Sequence, residues 1–156
     1  MSDEKKLAII ATKGSLDWAY PPFILASTAS ALGYDTQIFF TFYGLELLKK
    51  DLNLQVTSLG NPAMPMPMPV PVIMQTIPGM QSMMTSMMKK KMKSKGVASI
   101  EELRDLCVEA EVKMVACQMT VDLFEFNTNG FIDGIEYGGA ATFFEFAGES
   151  DVCLYI

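Results

Sequence analysis

Leu7–Ala11 reads LAIIA, an apolar run with none of the alternation expected of a strand that faces water on one side. Thr36–Phe42 (TQIFFTF) is a second such run, β-branched and aromatic. Between them, an Ala-, Ser- and Leu-rich stretch predicts a helix from about Pro21 to Leu32, closed by Gly33. Strand, helix and strand in this order form the building block of a doubly wound α/β fold, because parallel strands need a helical crossover and are covered on both faces. Few other folds accommodate a doubly buried strand so early in a chain of 156 residues, which is the size of one domain.

The same pattern resumes late in the chain. Ser99 followed three residues on by Glu102 is a capping box, and its helix is expected to run to about Ala110. Val112–Ala116 (VKMVA) is the next strand, and a loop follows from Cys117. Helices are expected over Phe131–Tyr137 and Ala140–Ala147, with Val152–Ile156 (VCLYI) as a closing strand. Gly44–Asp51 reads as a short helix, Gly138-Gly139 as a turn that breaks a helix, and Val56–Leu59 as the place of a fifth strand.

Between these parts the composition changes. Residues 60–92 hold ten of the thirteen methionines and six of the eight prolines. Met64 to Pro71 alternates Met and Pro and must be extended, since each proline pushes its predecessor out of the helical region. After Gly79, Met80, Met83, Met84, Met87, Met88 and Met92 recur at spacings that share one helix face. Lys89, Lys90, Lys91, Lys93 and Lys95 follow. Three readings of this arm, at about 60–97, are ranked: packing within a homo-oligomer, then docking of a partner on an adaptable Met surface (Met80, Met83, Met84, Met87, Met88) with Lys89, Lys90 and Lys91 beside it, and last contact with a membrane. Leu52 to Met88 is uncharged over 37 residues, but six prolines leave no room in it for an apolar helix of about 20 residues. Leu7–Ala11 is too short for a signal core, so a cytoplasmic protein is expected.

Composition excludes whole classes of chemistry. There is no histidine, which removes imidazole acid–base catalysis, the histidine-dependent triads and dyads, and most zinc or iron sites. The net charge of −6 argues against nucleic acid as a partner. It is unevenly spread: residues 1–100 carry ten lysines against six acidic residues, and residues 101–156 two basic against twelve acidic. Three scattered cysteines do not make a disulfide framework.

Cys117 is the best candidate for chemistry. It follows a parallel strand directly, where open α/β sheets place their ligands, and the thiol is expected to be presented to solvent. The amides of Gln118, Met119 and Thr120 could lower its pKa without a histidine; the alternative is a buried, inert cysteine. Cys107, in the preceding helix, is expected at the other end of a strand that spans about 16 Å, against a disulfide limit of about 7 Å. Cys153 reads as a core residue of a central strand. Asp17, Trp18 and Tyr20 follow the first strand and could line the crevice of Cys117, with Gly14 admitting a close backbone approach.

Several segments then match in order: Lys13-Gly14-Ser15-Leu16-Asp17 with Tyr20, Phe39 to Leu45 (FFTFYGL), the Met/Pro arm, Ala116-Cys117-Gln118-Met119-Thr120, Gly138-Gly139-Ala140-Ala141 and Asp151 to Ile156. Over nearly the whole chain they resemble the DsrE/DsrF/DsrH family, in particular its longer DsrE-like sulfurtransferases with a Met-rich insertion. The resemblance implies a single three-layer α/β/α domain with a mainly parallel sheet of about five strands, assembled as a homo-oligomer. It also implies sulfur carried as a persulfide or thiosulfonate on one cysteine, here Cys117, and exchanged with a TusA-like carrier or a rhodanese, with no metal or organic cofactor. Gly14, Ser15, Asp17, Tyr20, Gln118, Met119 and Thr120 are the expected pocket. Where relatives have a small residue soon after the cysteine segment, this chain has Leu123-Phe124-Glu125-Phe126. A sulfur carrier or sulfurtransferase is the function expected; the alternative is a non-catalytic scaffold or thiol redox sensor that docks partners on its Met arm.

Overall fold

The computed structural model describes residues 4–57 and 72–156. Five strands, β1 (Lys6–Ala11), β2 (Asp35–Phe40), β3 (Lys113–Cys117), β4 (Glu136–Gly138) and β5 (Val152–Tyr155), form one sheet in the order β4-β3-β2-β1-β5. Every neighbouring pair is parallel. The helices are α1 (Leu16–Ala31), α2 (Met80–Ser94), α3 (Ile100–Glu109), α4 (Gln118–Leu123) and α5 (Ala140–Ala147), with a 3-10 segment over Phe42–Leu48.

Alternate residues of the strands feed two separate apolar layers. Leu7, Ile9, Ala11, Ile38, Phe40, Met114 and Ala116 pack with Phe23 of α1 and Cys107 of α3. Ala8, Phe39, Val115 and Cys117 point the other way and pack against Phe143 of α5. This is the three-layer α/β/α arrangement. The capping box forms as expected: Ser99 Oγ accepts from the Glu102 amide, and the Ser99 amide donates to Glu102 Oε2.

Several expectations are corrected. Helix α1 begins at Leu16 rather than Pro21, because Leu16, Ala19 and Tyr20 are drawn into the core and the helix tolerates Pro21 and Pro22 within it. The residues expected to be helical from Phe131 to Tyr137 instead end in β4, and Gly138-Gly139 joins β4 to α5 rather than breaking a helix. No strand forms at Val56 and Thr57. Their backbone goes elsewhere: the Val56 amide donates to Thr85 Oγ1 at 3.0 Å, and the Thr57 amide to Asp17 Oδ1 at 2.8 Å. Ser58 and Leu59, with the Met/Pro alternation from Met64 to Pro71, lie outside the described residues. Cys153 is exposed, because β5 is an edge strand and not a central one.

The Met face of α2 divides. Met84, Met88 and Met92 pack against the main core, while Met83 and Met87 are exposed. Buried Thr85 fixes the helix to the chain before it through the Val56 amide. Among the described residues, no helix is long and apolar enough to cross a membrane.

Candidate functional site

Cys117 is the last residue of β3 and the N-cap of α4, with extended backbone (φ −66°, ψ 109°). Its side chain lies on the α5 face of the sheet and is only 5% exposed, which corrects the expectation of a solvent-presented thiol. The cause is α5, whose Phe143 folds over the same face.

Burial pushes the Cys117 thiol up, yet its pKa is held below the ordinary thiol value. Four donors outweigh desolvation: the Thr120 hydroxyl, the Thr120 amide, the Thr41 hydroxyl and the Met119 amide. Cys107 has no such set. It is fully buried against α1, with its Sγ 3.5 Å from the Phe23 carbonyl, and burial raises its pKa to about 12. The two thiols sit on opposite faces of the sheet.

Thr120 is the hub of the cradle. Fully buried, its Oγ1 lies 3.2 Å from Thr41 Oγ1 and accepts the Phe42 amide at 3.3 Å. With an acceptor lone pair used by Phe42, its own proton is available to the sulfur. Phe42 makes that bond from a left-handed backbone (φ 51°), a conformation costly for a side chain of this kind. The turn that imposes it depends on Gly44, where a Cβ would collide with the Ala11 carbonyl at the end of β1.

The remaining expected residues are distributed differently. Gly14, Ser15 and Trp18 line a separate cavity of about 690 Å³ with Tyr43, Glu46 and the 53–57 segment. Asp17 is occupied in binding the Thr57 amide and hydroxyl (2.8 and 2.6 Å), and Tyr20 donates to the Ala98 carbonyl at 3.2 Å. None of them contributes a donor to the Cys117 sulfur. Gln118 donates to Asp122 Oδ1 at 2.8 Å, and the Met119 side chain is exposed. Thr41 and Phe42 were missed in the sequence reading. Their signal lay in the FFTF segment, where a hydroxyl closes a strand that becomes the neighbour of β3.

Chemically, a thiol whose pKa is held below the ordinary value by neighbouring neutral donors is suited to nucleophilic attack at sulfur. The model of the DsrE/DsrF/DrsH-like family matches residues 3–155. Sulfur carrier protein DsrE2 of Allochromatium vinosum is 75% identical, with 99% of each chain covered. The uncharacterized protein YrkE of Bacillus subtilis is 30% identical, with 97% of each chain covered. The crystal structure of the ychN protein from E. coli superposes with a TM-score of 0.55, covering 97% of this chain and 99% of that one. At 13% identity that likeness concerns the fold alone.

Proposed function

The chain belongs to the DsrE/DsrF/DrsH-like family, and on that premise we propose that it is a sulfur carrier that holds sulfane sulfur on Cys117 and hands it to a partner thiol. The observation that carries this reading is the place of Cys117, at the end of β3 and the N-cap of α4 beside the paired Thr41 and Thr120 hydroxyls, where nearby hydroxyls and amides lower the pKa of a buried sulfur. The extensive identity to a protein named as a sulfur carrier supports it.

In the loading step the Cys117 thiolate attacks the outer sulfur of a protonated donor persulfide. The donor's S–S bond breaks, the donor leaves as a thiolate, and Cys117 is left as a persulfide. No external oxidant or reductant is required. Delivery is the same exchange in reverse, with the acceptor's thiolate attacking the outer sulfur. That atom lies about 2 Å beyond Sγ, so a thiol just beneath the surface can offer its cargo further out than its own position. A thiosulfonate on the same sulfur would draw on the same donors.

A TusA-like carrier or a rhodanese as exchange partner, a cytoplasmic setting and a homo-oligomeric assembly complete the proposal. Assembly is supported by Tyr155 of the edge strand β5 and by Phe144 of α5, both largely exposed. Docking on the arm is supported by outward-facing Met83 and Met87.

The test is carriage itself. A Cys153→Ser variant, which lacks the exposed thiol, incubated with glutathione persulfide at neutral pH should gain mass in steps of about 32 Da per sulfur atom, and should return that sulfur to an added thiol within minutes. A scaffold would gain nothing, and a dead-end adduct would not be passed on; either result contradicts the proposal.

A further inference from the structure

The loops after β2 and α4 build a groove of about 500 Å³. Tyr43, Phe124 and Phe126 supply its rings, and Glu46, Asp51 and Glu125 its carboxylates. The rings brace one another: Tyr43 stacks on Phe124 at 5.8 Å between centroids, and Phe124 meets Phe126 edge-on at 6.3 Å.

This combination of π faces and carboxylates is the chemistry of a cation site. The chain's own Lys49 already samples it, with Nζ 2.7 Å from Glu46 Oε2 and 5.4 Å from the centroid of the Phe126 ring. Among the described residues, Asp51 and Glu125 make no ion pair. The groove therefore retains negative charge after Lys49 is counted.

Glu125 occupies a position that normally belongs to glycine. It follows the end of α4 with φ 52°, and the next amide, that of Phe126, closes back on the Val121 carbonyl at 3.0 Å. A glutamate there carries a backbone cost that a glycine would not. What it gains is a carboxylate at the groove.

The groove is also tied to the sulfur site. The Phe42 amide is bonded to Thr120, and the Phe42 ring meets Phe124 edge-on at 5.9 Å. Met119 and Leu123 of α4, the helix that leads into Phe124, are exposed.

We propose that this groove receives an arginine or lysine of the protein that exchanges sulfur with Cys117, so that the partner is one whose reactive thiol is flanked by cationic side chains. The inference rests on the sulfur-carrier reading and adds to it the charge and geometry of the partner. The exchange is the one already balanced above: the partner's persulfide S–S bond breaks, its thiolate departs beside its own cations, and the S–S bond on Cys117 forms.

The experiment compares three persulfide donors at neutral pH: a short peptide whose persulfidated cysteine is flanked by arginines, the same peptide with glutamates, and glutathione persulfide. With the unaltered protein, sulfur should reach Cys117 roughly tenfold faster from the arginine peptide than from the glutamate peptide, with the gap narrowing at high salt. The double substitution Asp51→Asn with Glu125→Gln should shrink the gap severalfold while Cys117 still loads from all three donors, and Phe124→Ala should shrink it likewise. The charge pair tests the groove even if Phe124→Ala disturbs the fold. Equal rates from the two peptides, or a gap that survives in the charge variants, overturns the inference. So does a change in subunit number on Phe124→Ala with the gap intact, which would assign the groove to a second copy of the chain. Failure of all three donors to load Cys117 would instead overturn the carrier reading beneath it.

Discussion

In a Cys153→Ser background, which removes the exposed thiol, Cys117→Ser is expected to abolish sulfur loading from glutathione persulfide while the protein stays folded. The chemistry needs a sulfur nucleophile, and a serine hydroxyl is not ionised near neutral pH. The fold should tolerate the change because the smaller hydroxyl inherits the same donors from Thr41, Thr120 and Met119. Burying a hydroxyl costs about 1–3 kcal/mol even where no partner compensates it, within the usual stability of a domain. Cys107→Ser should behave in the opposite way. It places a hydroxyl in the layer between α1 and α3, so it should lower the unfolding midpoint but load sulfur at the parent rate. Intact mass spectrometry and a thermal melt on the same samples separate the two. Loading that persists without Cys117 and vanishes without Cys107 would reverse the assignment.

Thr120→Val is expected to slow alkylation of Cys117 near neutral pH by roughly tenfold, since a hydrogen bond to a charged group is worth about 1.5–3 kcal/mol and about 1.4 kcal/mol is a factor of ten. The sign follows from the balance at the sulfur. Burial favours the neutral thiol and the donors favour the thiolate, so loss of the Thr120 hydroxyl moves the pKa up and the pH–rate profile with it. The valine also leaves the Phe42 amide without its acceptor, so a loss of stability should accompany the slower rate. Thr120→Ser restores the hydroxyl and should recover both properties. Thr41→Val removes a donor without orphaning the Phe42 amide, so its effect should fall on the pH profile more than on the melt. A pH profile unmoved by Thr120→Val would mean that the amides alone set the reactivity of the thiol.

The strands that were legible in the sequence are those buried on both faces. Leu7–Ala11 and the Thr36 segment lie in the middle of the sheet, and their unbroken apolar character follows from that position. Strand β4 was not legible because it is three residues long, at an edge, and reads Glu136-Tyr137-Gly138 without a pattern. Val56 misled for the opposite reason: it is fully buried and apolar, but its neighbours are α1 and α2 rather than a strand, so its backbone is satisfied by side chains. The place of Cys153 depended on strand order, which local composition does not encode.

The site was legible as a position and not as an environment. The end of a parallel strand marked Cys117, and the amides after it were foreseeable. The Thr41 hydroxyl reaches the sulfur only because β2 and β3 are adjacent, a relation between segments more than seventy residues apart. The burial of the thiol was hidden too, because it depends on α5 crossing the far face of the sheet.

The contrast between a buried thiol and an exposed one gives the most direct test of the central claim. Exposure alone would direct an incoming sulfur to Cys153, and activation by the Thr41–Thr120 cradle would direct it to Cys117. The unaltered protein is treated at pH 7 with less than one equivalent of glutathione persulfide, quenched by rapid alkylation, and digested for peptide mapping. The added sulfur is expected on the peptide containing Cys117, with Cys153 recovered mainly as the plain alkylated thiol and Cys107 unreacted until the chain is unfolded. Sulfur found first on Cys153, with Cys117 unmodified, would contradict the account.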